Sequence, residues 1–447
     1  MSTTSLLQQF RQSVYQTLSR RADATLDFID ALTVTRHVDS PVALSEAAPF
    51  RRKFSSIYDV LAEGQMEAQA LHPLLTQSQP SNCEHLAGYE VYGLDTTPDE
   101  RPEAETLAER GLVKAQKNEP ARLGQKFSWL SRLVKRGTSW VAPWDVRRVK
   151  TDSTDNQTAV EQVKALDRQN SHPKVVVADS LYANQVFLAV FLVVTTVVAL
   201  VRLRRNLTLY EKPQPKPVGS RGAPRKHGPA FKMSMPQRAP DRTETFPLGL
   251  QRICLSAWQG LHLHKLPTLA GLALRVEFLK ADGTPRYQRP MWLFWTGPQT
   301  VALQDLCQMY LWRFALEHAF RFMKQHLGLT AHCLTDNASI QRWMWLCALA
   351  YWQLLLMGQA VDDLSPAGYA SRRSPDRGQT WLTPGQVQRG AGRFLAKLGT
   401  PATSPRPAGK GPGRAHGYRP QRHPRYPVVR KSQTQLRPAR PTVVSGA

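Results

Sequence analysis

Apolar side chains return at helical spacing near the start of the chain: Leu6, Phe10, Val14 and Leu18, then Phe54, Ile57 and Leu61. A period of 3.6 residues places them on one buried stripe, so residues 1 to about 80 read as helical. The rhythm then changes. Tyr89 to Asp95, Lys126 to Leu130 and Ser139 to Ala142 read as strands, and Thr158 to Arg168 has helical composition. Lys174-Val-Val-Val-Ala-Asp179 is a short continuous apolar run, which suits a central strand covered on both faces. Strands, a helix and another buried strand in series predict an α/β domain. Val186 to Val201 is uncharged and apolar. It is shorter than the roughly 18–20 residues a membrane span needs, and its Val and Thr favour strands. It reads as the end of a buried helix, a turn near Thr195-Thr196, and a strand from about Val197 to Arg204.

Residues 206–246 break the pattern with Pro213, Pro215, Pro217, Pro224, Pro229, Pro236 and Pro240 among many Lys and Arg. They read as a loop or extended basic arm rather than a packed element. Leu248 to Leu263, Leu272 to Leu279 and Met291 to Trp295 then read as strands, with Asp282-Gly283 as a turn signal. Residues 302–327 predict one long helix stopped by Gly328. A second helix, from about Ser339 to Met357, is dense in Trp, Leu and Ala and reads as buried. The expected organisation is a helical region over 1–85, either a small DNA-binding domain or a helical cap on the core, a first part of an α/β core over 86–204, a basic loop and β-rich insertion over 205–290, the rest of the core over 291–360, and a linker with a basic tail over 361–447.

Charge narrows the class of partner. Lys and Arg number 59 against 34 acids, a net +25, which points to a polyanion, nucleic acid before an anionic membrane surface. Residues 401–447 hold ten Lys or Arg and no acid, leaving +15 on the rest. That tail is rich in Pro, Gly and Arg and is expected to be disordered, suited to sequence-independent phosphate contact. The five cysteines, Cys83, Cys254, Cys307, Cys333 and Cys347, form no C-x-x-C pair, which argues against a disulfide framework or structural zinc. The N-terminus lacks the basic start and apolar core of a signal peptide, and a cytoplasmic setting is expected.

The chemistry gathers on the helix at 302–327. Tyr310, Arg313, Glu317 and Lys324 fall within about 60° of one another around its axis, and Arg321 lies on the same stripe. A solvated face with an Arg313–Glu317 pair would produce the same spacing. Glu317, however, is the last glutamate of the chain, set among Trp312, Phe314, Leu316, Phe320 and Phe322. Asp95 and Asp179 each end an apolar strand candidate, where a carboxylate must be paired or bind a metal. An acid before a turn, for Asp95, and a helix N-cap, for Asp179, are the ordinary alternatives. Two strand carboxylates and one helix carboxylate can hold two Mg²⁺ about 4 Å apart, the arrangement for in-line displacement at phosphorus.

The pattern Tyr310-x-x-Arg313-x-x-x-Glu317 followed by Lys324 resembles the Y-R-E-K signature of a large group of bacterial insertion-sequence DDE transposases. The context V-V-V-A-D179-S-L-Y-A-N is similar to that group's second-aspartate block and Y-G-L-D95-T-T-P to its first. The resemblance implies a ribonuclease-H-like core with a β-rich insertion before the glutamate. It implies Asp95, Asp179 and Glu317 as ligands of two Mg²⁺, with Mn²⁺ as a substitute, and Tyr310, Arg313 and Lys324 as DNA-backbone contacts; Arg321, on the same stripe, joins them as a DNA-binding candidate. Double-stranded DNA would be the partner and a homodimer the DNA-bound form, with no membrane. The expected activity is DNA cleavage and strand transfer. A DNA-binding relic without activity, a membrane-anchored basic protein and a metal nuclease without strand transfer are the competing readings.

Weaker signals remain. His262-x-His264 with Cys254 has the residue types of a zinc site but not its spacing. Trp258 reads as a core residue, with stacking on an extruded base as the alternative. No G-x-x-x-x-G-K-[ST] loop is present, so ATP use is not indicated.

Overall fold

The computed structural model describes residues 3–80, 83, 85–114, 119–134, 140–216, 221–248, 251–358, 360–361, 364, 382–407, 413–419 and 422–430. Ser139, most of the linker between 362 and 381, and the last part of the tail (431–447, with Lys431, Arg437 and Arg440) lie outside the described residues, as does Lys410.

The N-terminal region forms four helices, α1 (Thr3–Thr17), α2 (Ala22–Val34), α3 (Ser55–Glu63) and α4 (Ala68–Gln77). The first three pack round α9 (Asn337–Met357), whose aromatic and apolar residues are buried along nearly its whole length, and α4 packs on α1. A buried polar knot ties three of these helices together. Arg11 of α1 grips both oxygens of Asp30 of α2 at 2.7 and 2.8 Å, and Gln353 of α9 accepts from Arg11 at 2.8 Å and donates to Asp30 at 3.0 Å. The Trp352 ring stacks on Phe10, and its indole N–H donates to Pro143 O, fixing α9 against the sheet.

One mixed sheet runs through the molecule. Its first half comprises β1 (Glu90–Glu100), β2 (Gly111–Val113), β3 (Arg122–Leu133), β4 (Val141–Arg148), β5 (Lys174–Ala178) and β6 (Val197–Arg202). β4 pairs with β3 and β3 with β1, each antiparallel; β1 pairs with β5 and β5 with β6, each parallel. Helix α5 (Asp155–Asp167) forms the crossover from β4 to β5 and starts with a Thr154–Gln157 capping box. The apolar run 186–201 divides as its composition predicts: α6 (Gln185–Leu188), a 3₁₀ turn at Ala189–Leu192, a bend, and β6. Val197–Arg202 is thus an interior strand of the sheet, which overturns the membrane-span reading of this segment. Among the described residues no helix is long and apolar enough to cross a membrane.

The second half extends the same sheet. β12 (Met291–Trp295) pairs antiparallel with β6, followed by β11 (Leu266–Leu279) and β10 (Gln251–Leu263). The proline-rich stretch differs from the expected unpacked loop. It supplies β7 (Thr208–Tyr210), β8 (Ala230–Lys232) and β9 (Arg242–Leu248), short strands that pair with one another or with β10. Short edge pieces tolerate prolines that a central strand would not.

Three further boundaries depart from expectation. β1 continues past Asp95 through Thr96-Thr97-Pro98 to Glu100, so Asp95 is a mid-strand residue and not a strand end. The helix expected over 302–327 is two helices, α7 (Leu303–Trp312) and α8 (Phe314–Gln325), meeting at Arg313. Gly328 does end the second, at φ +62°, where an added Cβ would strike Val38 O. Within the region expected to be linker and disordered tail, α10 (Pro384–Leu398) packs on α2 and α9. The tail beyond it is held in places. Arg51 and Arg52 donate to Ala402 O and Thr403 O, Tyr426 N and Val429 N donate to Glu105 O and Arg110 O, and Arg425 pairs with Glu105 at 3.1 Å.

Helix α8 lies close on β1 because Gly93 has no side chain. A Cβ there would sit 2.6 Å from Leu316 Cδ1 and 3.1 Å from Leu133 Cδ2. Leu316 is fully buried and has little room to yield. Gly93→Ala is therefore expected to cost about 1–3 kcal/mol of unfolding free energy. The loss should shrink in a Leu316→Ala background; a double-mutant cycle by denaturant melts measures that coupling.

Candidate active site

Strand pairing brings two of the three acids together. Leu94 of β1 is in register with Ala178 of β5, and Ala178 with Val201 of β6. The next residue on each chain is Asp95, Asp179 and Arg202 in turn. Neighbouring strands stand roughly 4.8 Å apart, so these three form a row along the edge where β5 and β6 end. Gly93 and Asp95, two apart on β1, share the face that α8 covers. That helix brings Glu317 over the row from its first turn, where the positive helix end favours a carboxylate.

Arg313 joins the acids. One guanidinium nitrogen donates to Asp95 Oδ2 at 3.0 Å and the other to Glu317 Oε1 at 3.2 Å. Its side chain is 13% exposed, against 24% for Asp95 and 46% for Glu317. Burial opposes the charge on Arg313, but Tyr310, Asp95, Glu317 and Asp179 around it hold its pKa above the ordinary value. The Tyr310 ring lies 5.8 Å from the guanidinium carbon, a cation–π contact. Burial also raises the Tyr310 phenol, against the pull of Arg313 and Arg202.

The carboxylates differ in surroundings. Asp95 Oδ1 accepts from Thr96 N and Asp179 Oδ1 from Leu181 N, each at 2.8 Å. The ordinary helix-cap role does not fall to Asp179: Asn184 caps α6, accepting from Phe187 N. Burial pushes Asp95 up to about 6; Arg313 and the Thr96 amide oppose this, while Asp179 and Glu317 add to it.

The structure thus brings together Asp95, Asp179, Glu317, Arg313 and Tyr310. It does not bring Lys324 to them. Lys324 lies two turns along α8, half-buried, its pKa lowered by burial and opposed by Asp99 and Glu100. Arg321 is exposed on the same helix. Arg202 is a residue the sequence reading did not single out. Its signal was the alternation Val201-Arg202-Leu203-Arg204, whose polar face becomes visible once the β5–β6 register is known. Arg202 also lines a cavity of about 550 Å³ with Phe278, Arg286, Tyr287 and Arg289. There Tyr287 is exposed, its ring 5.8 Å from the Arg286 guanidinium and edge-on to Phe278.

Carboxylate oxygens are the hard ligands that Mg²⁺ and Mn²⁺ take, and Asp95, Asp179 and Glu317 are of that type. Among the described residues, no three acidic, His or Cys side chains form a ready-made metal cage, and the Arg313 guanidinium lies between Asp95 and Glu317. The three side chains match a divalent ion in donor type. The other sequence candidates resolve against metal and base binding. His227 Nδ1 meets His262 Nε2 at 3.0 Å and stacks on His264, and these rings gather round Tyr210. Cys254 lies at the other end of β10, paired with Glu277 and Thr245. Trp258 is 2% exposed, donates to Arg238 O at 2.9 Å and packs on Phe231 and Trp292, so it is a core residue.

The raised pKa of Asp95 carries a stability cost. The folded chain holds a proton there up to about pH 6, the unfolded chain only to near 3.8. Between those values folding takes up a proton, so stability falls as pH rises from about 4 to about 6 and stays reduced above. Asp95→Asn is expected to raise the unfolding free energy at pH 7 by up to about 3 kcal/mol, with the gain gone at pH 4; denaturant melts at both pH values test this.

Among solved structures, the chain is similar to a piggyBac transposase in a synaptic complex with hairpin DNA, at 10% identity and a TM-score of 0.38, over 83% of this chain and 70% of that one. No curated protein sequence matches it. The sequence profile described as "DDE superfamily endonuclease" matches residues 13–263, a span that holds Asp95 and Asp179 and ends before Glu317. Since that span exceeds half of the 447 residues, the chain belongs to the DDE superfamily endonucleases.

Proposed function

We propose that this endonuclease is a transposase of the Y-R-E-K group, which cuts and rejoins the DNA of an insertion sequence. The observation that carries the reading is the carboxylate row. Two aspartates are laid side by side by a parallel strand register, and a glutamate is brought over them by a helix that Gly93 lets approach. The strand order β4-β3-β1-β5-β6, with β3 alone antiparallel to both its neighbours, supports a ribonuclease-H-like core. On this reading the core comprises 86–204 and 291–360, the β-rich insertion 205–290, and the helical region 1–85 a further DNA-binding unit.

Asp95, Asp179 and Glu317 would hold two Mg²⁺, or Mn²⁺ in their place. Bound there, the ions supply an activated oxygen nucleophile and stabilise the leaving oxygen. The chain's own cations do the positioning. Arg313 has the forked geometry for a phosphodiester, and Tyr310 holds its guanidinium in place. Arg321, exposed on α8, provides a further phosphate contact, and Lys324 reaches one if it leaves Asp99 and Glu100. Arg202, Arg286 and Arg289 extend the positive track beyond Asp179, with Tyr287 as a flat surface for a base. The +25 charge accounts for affinity to double-stranded DNA. Paired cutting of two ends calls for a homodimer on DNA.

The test is cleavage of DNA carrying the element's own ends, with Mg²⁺. Glu317→Gln should lose strand cleavage by at least about three orders of magnitude while keeping DNA affinity. Binding without cleavage by the unaltered chain would indicate a relic, and cleavage without joined products a nuclease. A second expectation concerns the basic track. Arg202→Ala and Arg289→Ala should each weaken binding uniformly across sequences and reduce the salt slope by about 1, read by fluorescence anisotropy at several salt concentrations.

A further inference from the structure

The Arg313 guanidinium lies between two of the three acids that would hold a metal. Its two terminal nitrogens are divided between Asp95 Oδ2 and Glu317 Oε1, and Asp179 lies close enough to act on its charge. Two features make this a held arrangement and not a passing surface pair. The backbone of Arg313 is the junction between α7 and α8, and its side chain reaches Asp95 on β1. Its guanidinium is nearly enclosed, with the buried Tyr310 ring beside it. Breaking such a pair leaves uncompensated carboxylates, so the cation leaves only if another replaces it. A divalent ion and a guanidinium meet the same electrostatic need, and both cannot lie between Asp95 and Glu317.

We infer that Arg313 is a removable counter-ion: it holds the carboxylates together in the chain without DNA, and moves onto a DNA phosphate to admit a divalent cation between Asp95 and Glu317. The inference rests on the proposed reading of these acids as a metal site. Its consequence is coupling. A duplex that draws Arg313 away makes metal binding tighter, and by reciprocity the metal makes DNA binding tighter.

The experiment measures Mn²⁺ affinity of the full-length chain, by electron paramagnetic resonance of free Mn²⁺, with no turnover involved. Without DNA, Arg313→Gln is expected to bind Mn²⁺ about ten-fold tighter than the unaltered chain, within the range ordinary for coupled sites. Adding a short duplex should tighten Mn²⁺ binding by the unaltered chain and leave Arg313→Gln nearly unchanged. Arg313→Lys, which keeps the charge but loses the fork, should fall between them and serves if the Gln variant does not fold. Asp95→Asn, alone and combined with Arg313→Gln, should abolish the tight binding. If Arg313→Gln binds no tighter while Asp95→Asn still removes binding, the metal site stands and the counter-ion role is overturned. If Asp95→Asn changes nothing in any background, the carboxylates are not the metal site, and the proposed function's metal reading falls together with this inference.

Discussion

The candidate site depends on one register. β1, β5 and β6 run parallel with Leu94, Ala178 and Val201 abreast, so the residues that follow, Asp95, Asp179 and Arg202, are abreast too. A slip of one residue in either pairing would turn a carboxylate to the opposite face. The apolar run Val175–Ala178 guards against that, because it is buried on both sides and pairs along its length. The fold then adds the third acid by subtraction. Gly93 removes a side chain from the face of β1 that Asp95 shares, and Leu316 fills the space. Glu317 follows Leu316 on α8, so packing of one residue sets the height of the next.

Such a row is electrostatically costly, and the structure carries that cost openly. Burial and neighbouring carboxylates push Asp95 up to about 6, and a single guanidinium spans Asp95 and Glu317. A fold selected for stability alone would dilute these charges; stability surrendered at a site is commonly the mark of function. Buried charge is costly in the helical layer too, where burial raises the Asp30 pKa, but there direct partners meet it. Arg11, Asp30 and Gln353 satisfy one another inside the helical layer, far along the chain from the carboxylate row.

Much of this was legible in the residues, and the exceptions have physical causes. The helical repeat Leu6–Phe10–Val14–Leu18, the run at 174–178 and the helix–turn–strand division of 186–201 were visible because burial imposes periodicity. The break at Arg313 was not, because it contains no Pro or Gly and the residue keeps helical dihedrals (φ −53°, ψ −26°); only the hydrogen-bond ladder tightens there, Arg313 N donating to Tyr310 O. β1 was expected to stop before Thr96-Thr97-Pro98, yet it runs on. Its pairing with β5 ends at Leu94, so Pro98 lies where the strand is paired only with β3, a position that tolerates a missing N–H. Helix α10 was hidden by the Gly and Pro around it, although Thr383 and Gln386 form a capping box at its start. For the site, all three acids and Arg313 could be read from spacing and context. Arg202 could not, because its place beside Asp179 follows from a register no single segment reveals.

The same topology explains where the proposed insertion sits relative to the acids. The chain leaves the core at the end of β6 and returns along β12, which is antiparallel to β6, with Leu293 opposite Arg202 and Trp295 opposite Leu200. Both stems of the insertion therefore lie at the edge where β5 and β6 end, beside Asp179. The cavity that includes Arg202, Arg286, Tyr287 and Arg289 is formed at those stems, and the long β10–β11 pair extends away from them. A polyanion reaching the carboxylate row from this side must pass Arg202 on β6 and Arg286 and Arg289 on the loop between β11 and β12. Arg202 alone of these is held by strand pairing, beside Asp179, where it can orient a phosphate while Arg313 serves Asp95 and Glu317.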